Sequence, residues 1–360
     1  MADVFTRTAK VLYEKIYNRE TGGQQGIDDF LFGTRDADTS ANFSLDQLIR
    51  NPYGVTFRKP GEQSSVRPYN PGVGMVYEVP RTSEKTPISE RLRDAVVVGL
   101  EATASQASHE AALFNQVISD HAVGHKVTKW KLALDVIRNG KFSPYGLQGQ
   151  DIGLEIDFGR DASLDVTYDF TQVGATMDKA LAKLYDAFVA KNGVRQNMVV
   201  IMGKQHLAAF ESDSTVQKRI EANTSNILLE QNMAPPALAN TYGLYQVSRY
   251  RIPGKVAPIW ICAYEPEGLF AAYNGATEQP FMPADEMVMF SLGATRYKVL
   301  RGVDVFDDGG RVQRAVGDVV FDSYNEKDPV QTLLRSSARY AFVPGNVNET
   351  ARMTGTFSES

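Results

Sequence analysis

The chain has 360 residues, 43% of them apolar and 22% charged, with 38 Lys and Arg against 43 Asp and Glu for a net charge of −5. That size suits two packed domains, and that balance excludes disorder throughout and argues against a chain that works by neutralising phosphates. One cysteine excludes an intrachain disulfide and a four-cysteine zinc site, no apolar run approaches the roughly 18 residues of a membrane span, and the first residues lack a signal-peptide core, so the chain reads as soluble and made in the cytoplasm.

Residues 1–20 read as an amphipathic helix. Phe5, Ala9, Leu12 and Ile16 recur at three or four positions with Arg7, Lys10, Glu14 and Arg19 opposite, and Thr21-Gly22-Gly23 ends it. It docks either on its own domain or on a neighbouring chain. Residues 51–85 hold five prolines and four glycines in 35 positions, which opposes a helix. Two pieces alternate as strands do: Tyr53, Val55 and Phe57, then Val73, Met75, Tyr77 and Val79. The polar tip between them, Lys59 to Pro71, is either functional or disordered at that length. Four aromatics and the alternation favour an extended ribbon. Arms of about 13 residues at roughly 3.3 Å per residue reach about 40 Å, and a lone hairpin is marginal in water. The ribbon needs a support, and a second copy of the chain is the economical one.

A long helix is predicted next, over 88–122. Ser89 would cap it, Ile88, Leu92, Val96, Leu100, Ala104, Ala107, Ala111, Phe114 and Ile118 trace one face, and Gly124 would close it. At 1.5 Å per residue it is about 50 Å long, well beyond the usual three or four turns. VTKWKLALDVI (127–137), LEIDFGR (154–160) and SLDVTYDF (163–170) read as strands, with Asn139-Gly140 as a hairpin turn. Met177, Ala180, Leu181, Leu184, Tyr185 and Phe188 predict a helix stopped at Asn192-Gly193. MVVIM (198–202) is a buried strand, and Ser214 with Gln217 resembles a capping box opening a short helix. From 240 to 320 the chain is β-rich, SARYAFVP (337–344) is the last strand, and the polar stretch from Asn346 is expected to fray.

Catalytic constellations are absent from the pattern. His121-x3-His125 has the spacing of two ligands on one helical face but lacks the glutamate of H-E-x-x-H, and a helix C-terminus explains it better. Cys262, inside APIWICAYE with no adjacent base, reads as a buried small hydrophobe. Asp307-Asp308 before Gly309-Gly310 reads as a surface turn, and Asp157 as a turn acid rather than a base. No phosphate-cradling glycine loop or nucleophile elbow occurs. No catalytic, cofactor-binding or metal-ligating residue is predicted.

Several stretches are familiar in order: PISERLRDAVVVGLEAT, DVIRNGKFSPYG followed by GLEIDFGRD, MVVIMGKQHLAAFESDSTVQKRIE, PFMPADEMVMFSLGATRYKVLRGV and SSARYAFVPGNVNETARMTG. Over roughly 50–355 the chain resembles the major capsid proteins of tailed bacteriophages, the lambda-like capsid protein E family of the HK97 fold. The resemblance implies an α+β fold with an N-terminal arm (1–50), an extended β-hairpin E-loop (51–86), and a peripheral domain (87–171) whose spine helix runs 88–122. It implies further an axial domain (172–320) and a return to the peripheral domain with a C-terminal tail (321–360). It implies a head protein assembling through hexamers and pentamers into an icosahedral shell around double-stranded DNA, located in the virion and assembled in the host cytoplasm. Portal, scaffold and a decoration protein are partners by analogy, with no cofactor and no membrane; a Lys59 crosslink is not predicted. Tyr53, Phe57, Tyr69 and Tyr77 suit anchoring between subunits, and Arg58, Lys59, Arg67 and Arg81 either meet acidic patches on the next subunit or are solvated. Two alternatives stand beside this reading: an encapsulin-type shell around a protein cargo, and a cytoplasmic α+β enzyme.

Overall fold

Burial in this chain divides between two sheets that share one long helix. The computed structural model describes residues 32, 34–37, 42–46, 74–89, 106–144, 155–195, 197–222, 244–255, 257–264, 269–270, 279–292, 297–308, 311–316, 319–327 and 330–357. In chain order these form β1 (Thr34–Ala37), β2 (Asn42–Asp46), β3 (Gly74–Glu78), β4 (Arg81–Ser89), α1 (Gln106–Asn139), β5 (Lys141–Phe142), β6 (Ile156–Asp157) and β7 (Asp165–Asp169). There follow α2 (Met177–Asn192), β8 (Met198–Met202), α3 (Lys204–Ser212), α4 (Ser214–Ala222), β9 (Leu244–Tyr250), β10 (Ile259–Tyr264), β11 (Leu269–Phe270) and β12 (Gln279–Pro280). The last are β13 (Glu286–Ser291), β14 (Tyr297–Arg301), β15 (Val303–Asp308), β16 (Arg311–Val316), β17 (Val320–Lys327), β18 (Val330–Pro344) and β19 (Thr350–Thr356).

One sheet has six strands in the order β7-β19-β13-β8-β10-β9. Its centre follows directly from the sequence: MVVIM is buried at every position of β8, as a strand covered on both faces must be. On it packs α2, whose Met177, Ala180, Leu181, Leu184, Tyr185 and Phe188 are all buried, the stripe the spacing predicts. Thr176 caps that helix by accepting from the Lys179 N–H at 3.4 Å, and Gly193 ends it at φ 68°, where a side chain would be strained. At α4 the capping oxygen belongs to Asp213 rather than Ser214: Asp213 Oδ1 accepts from the Thr215 N–H while Oδ2 accepts from Met177 N–H of α2.

The second sheet runs β1-β14-β18-β17, with β4 also on β18. Strand β18 is 15 residues long; its first part pairs with β17 and β4 and its last five residues with β14. Two-stranded ladders β15–β16 and β2–β3 complete the described pairing around it.

Three expectations are overturned. The spine helix does not start at Ile88, because Ile88 and Ser89 end strand β4, nine residues laddered onto β18; positions 90–105 lie outside the described residues. Nor does it stop at Gly124. It continues to Asn139 and takes in VTKWKLALDVI, which is helix and not strand. Alternation misled there because three lysines are themselves buried: Lys126 lies over the Trp130 ring at 4.9 Å, Lys129 over Tyr340 at 5.4 Å, and Lys131 Nζ reaches Asp135 at 3.1 Å. A segment enclosed on all sides needs no polar face, so its period carries no helical signature. Asn139-Gly140 is accordingly a helix end: the Gly140 N–H donates to Val136 O at 2.8 Å with φ 65°, and an added Cβ would meet Arg160 Cβ at 2.8 Å.

The third correction concerns the stretch from Asn346. It does not fray, for residues 350–356 are β19, inserted between β7 and β13 with Ala351 and Met353 fully buried. Polar Thr350, Arg352 and Thr354 alternate with Ala351, Met353 and Gly355, a period-two pattern hidden by small residues. Gly355 is required there, since a Cβ would lie 2.8 Å from His206 Nε2.

The shared helix is pinned at its far end by charge. Arg160 Nη1 donates to Arg138 O at 2.6 Å, and Arg352 Nη1 to Asn139 Oδ1 at 2.9 Å. Arg138 bridges Asp135 and Glu286 of β13, and Arg352 and Arg160 share Asp165 of β7. Cations at a helix C-terminus satisfy its last carbonyls and oppose its dipole.

Candidate assembly surface

The base of the ribbon is where sequence expectation and structure meet. Strand β3 ends at Glu78, Val79 is 1% exposed in the main apolar cluster, and β4 begins at Arg81. Strand β3 pairs antiparallel with β2, residues 42–46, within the segment read as the N-terminal arm. Phe32, also from that segment, is fully buried with its ring 4.9 Å from Phe342, and β1 runs parallel to β14. The predicted helix over 1–20 lies outside the described residues.

Of the predicted interface residues, Tyr53, Phe57, Arg58, Lys59, Arg67 and Tyr69 also lie outside the described residues. Tyr77 stands in β3 opposite Phe43 of β2. Arg81 is held by its own chain: its Nε lies 3.0 Å from Oδ1 of Asp304, a carboxylate only 3% exposed that also faces Arg339 Nε at 3.9 Å. On the same outward face Arg335 pairs with buried Asp322, and Lys85 sits 5.0 Å over the Tyr324 ring. Register explains the acids. Arg81 faces Arg339 and Lys85 faces Arg335 directly across β4 and β18, and like charges so placed destabilise a sheet unless anions intervene. Asp304 and Asp322 supply them. Neither was singled out by the sequence, because their roles depend on a register that no local pattern reveals.

The inward face of β4 meets α1. Thr82, Glu84, Thr86 and Ile88 alternate toward the helix, beside Ala338, Ser336, Leu334 and Thr332 of β18. Ile88 closes a small apolar cluster with Leu113, Val117, Ile118, Phe321 and Leu334. Beyond it the contact turns polar. Thr86 Oγ1 lies 2.7 Å from His121 Nε2, Thr82 Oγ1 3.3 Å from His125 Nδ1, and Ser336 Oγ 2.9 Å from His125 Nε2. Glu84 reaches over Gly124, its Oε2 3.4 Å from where a Cβ would stand. His121 and His125 therefore serve the helix–sheet contact rather than a helix terminus.

Cys262 is fully buried and burial pushes its thiol up to about 12, so it holds its proton. Asp157 is a turn acid: burial acts to raise its pKa, but the Gly159 N–H at 2.8 Å and the Lys141 ammonium at 3.1 Å hold it below the usual carboxylate range. Among the described residues no three metal-ligating side chains converge, and the loop Arg251–Lys255 lines only a shallow surface concavity. No described helix is long and apolar enough to cross a membrane.

Two sheets on a spine helix give the chain an α+β fold of the HK97-like capsid type. The candidate capsid protein of an Escherichia coli CFT073 prophage superposes with TM-score 0.58 at 12% identity, over 98% of this chain and 99% of that one. A phage-related protein from Bordetella bronchiseptica RB50 gives 0.48 at 10% identity over 96% of each chain, and the bacteriophage PhiM1 mature capsid 0.47 at 11% over 92% and 87%. The fold likeness rests on the first. No curated protein matches in sequence. Residues 11–354 match the family described as Phage major capsid protein E, and the chain belongs to that family. It is a major capsid protein, part of the shell of a bacteriophage virion, and the enzyme alternative falls with that membership.

Proposed function

We propose that copies of this chain form hexamers and pentamers that close an icosahedral shell around double-stranded DNA, each subunit laying the tip of its ribbon, 51–86, across a neighbour while the ribbon base stays paired within its own chain. Heterologous contacts that close on themselves build such a shell, and a subunit held by several neighbours gains by multivalency even where each contact is modest. The observation that carries the reading is the ribbon base. Val79 is buried and β4 is laddered along nine residues, an anchorage that a merely solvated loop does not need. Tyr53, Phe57, Tyr69 and Tyr77 then anchor the contact, with Arg58, Lys59 and Arg67 toward acidic surface, while Arg81 fixes the base to Asp304.

The sheets cross the bounds read for a peripheral unit (87–171 and 321–360) and an axial unit (172–320): β7 and β19 join β8, β9, β10 and β13, and β14 joins β17 and β18. The net charge of −5 suits a container that does not clamp its DNA. Assembly proceeds in the host cytoplasm through a procapsid with portal and scaffold. The encapsulin alternative has no separate observation in its favour.

Deleting 58–71 tests the proposal. The variant is expected to keep its circular dichroism spectrum and remain soluble while yielding no particles by negative-stain microscopy. Normal particles from the deletion variant would overturn the interface.

A further inference from the structure

The polar contact between α1 and the β4–β18 sheet is unlike the rest of the interior. His121 and His125, one helical turn apart, are 1% and 5% exposed. At His125 the hydrogen bonds fix the tautomer. The Thr82 hydroxyl donates to Ala338 O at 3.2 Å, so it accepts from His125 Nδ1–H, and Nε2 is left to accept from the Ser336 hydroxyl. Both ring nitrogens are thereby occupied in the neutral form. A second proton on Nε2 would be met by rotation of the Ser336 hydroxyl to accept, but it would place a full charge on a ring only 5% exposed. His121 spends Nε2 on Thr86, and its buried Nδ1 has no hydrogen-bond partner.

The charged surroundings do not welcome a cation at His125. On α1, the Lys129 ammonium lies one turn beyond it, and Asp120 flanks His121. On β4, Glu84 is the sole titratable group on the face toward the helix; Arg81 and Lys85 occupy the opposite face. The facing residues of β18 are Thr332, Leu334, Ser336, Ala338 and Tyr340, the last beneath Lys129, and those of β17 are Phe321, Ser323 and Asn325; of these only the Tyr340 phenol is titratable. No carboxylate hydrogen-bonds either ring among the described residues.

We propose that this seam is an acid-sensitive latch: α1 stays docked on β4 and β18 only while both imidazoles are neutral, and charging them releases β4 from the helix. The latch belongs to the single chain and holds whether or not copies assemble.

The direction of the linkage agrees. Burial lowers His121 from 6.5 to about 4 against the opposing pull of Asp120. Burial first, then Lys129 and His121, lowers His125 to about 3. A depressed folded pKa means the undocked state takes the proton first, so docking is full above about 6.5 and weakens steadily as pH falls below it. At pH 5 each imidazole favours the open state by about 30-fold, or about 1,000-fold together. Glu84, raised by burial and by Asp120, takes up a proton more readily when docked and offsets part of this.

Hydrogen exchange of the unassembled full chain, corrected for intrinsic rates, reads the latch. Between pH 7.5 and pH 5 the peptides over 81–89 and 113–128 should lose protection by about 100- to 1,000-fold while α2 and β8 hold theirs. His121→Gln with His125→Gln should flatten that dependence to within about threefold. Should the double variant not fold, the wild-type imidazoles serve by NMR, where titration well below 6.5 supports the latch. Protection independent of pH in the wild type, or both imidazoles titrating near 6.5, would overturn it. Particle formation does not enter the readout, so failure here is separable from failure of the assembly reading.

Discussion

The two halves of α1 make different contacts, and the difference assigns them different duties. From Trp130 to Ile137 the helix is embedded: Trp130, Leu132, Ala133, Leu134, Val136 and Ile137 join the largest apolar cluster, with Phe342, Val199 and Phe290 among their company, and four guanidinium-linked carboxyl and carbonyl groups lock the end. From Leu113 to His125 the same helix rests on a small apolar cluster and a row of hydroxyls and imidazoles. Apolar packing is insensitive to pH, whereas hydrogen-bonded neutral imidazoles are not. One helix is thus a fixed bolt at one end and a releasable contact at the other, a stability gradient along a single element.

That contrast breaks or sharpens under substitution. Trp130→Ala should cost about 3–5 kcal/mol by denaturant unfolding, since it opens a cavity in the embedded half; a loss under about 1 kcal/mol would erase the distinction. Thr86→Val removes the hydrogen bond to His121 while keeping its shape, and about 1 kcal/mol is expected from the same measurement. A Thr86→Val penalty equal to that of Trp130→Ala would mean the seam is as rigid as the core. Smallest and opposite in sign is Gly124→Ala. The new methyl meets Glu84 Oε2 only at 3.4 Å, and mid-helix glycine costs about 0.5–1 kcal/mol relative to alanine, so the melting temperature should rise.

Legibility in the sequence follows the same physics. Helix α2 and strand β8 were readable because one covers a sheet with a single face and the other is enclosed by apolar neighbours, and each leaves its own period. The second half of α1 was not, because lysines satisfied by Trp130, Tyr340 and Asp135 counterfeit a polar strand face. Strand β19 was missed because Ala351 and Gly355 must be small beneath their neighbours and so do not announce burial. The seam was half visible as His121-x3-His125 and as Thr82, Glu84 and Thr86 two apart. Only tertiary pairing brings the two patterns together. Resemblance to known capsid chains, by contrast, pointed to the shell before any contact was known.

Strand β19 has a kinetic consequence. It closes its sheet by joining β7 in parallel and β13 antiparallel, and its Arg352 meets an aspartate 187 positions earlier in the chain. Pairings that distant form late. Until then β7 and β13 face each other as two bare edges, open equally to β19 of another molecule. Self-insertion of β19 therefore competes with strand exchange between copies, and slower closure leaves those edges open for longer.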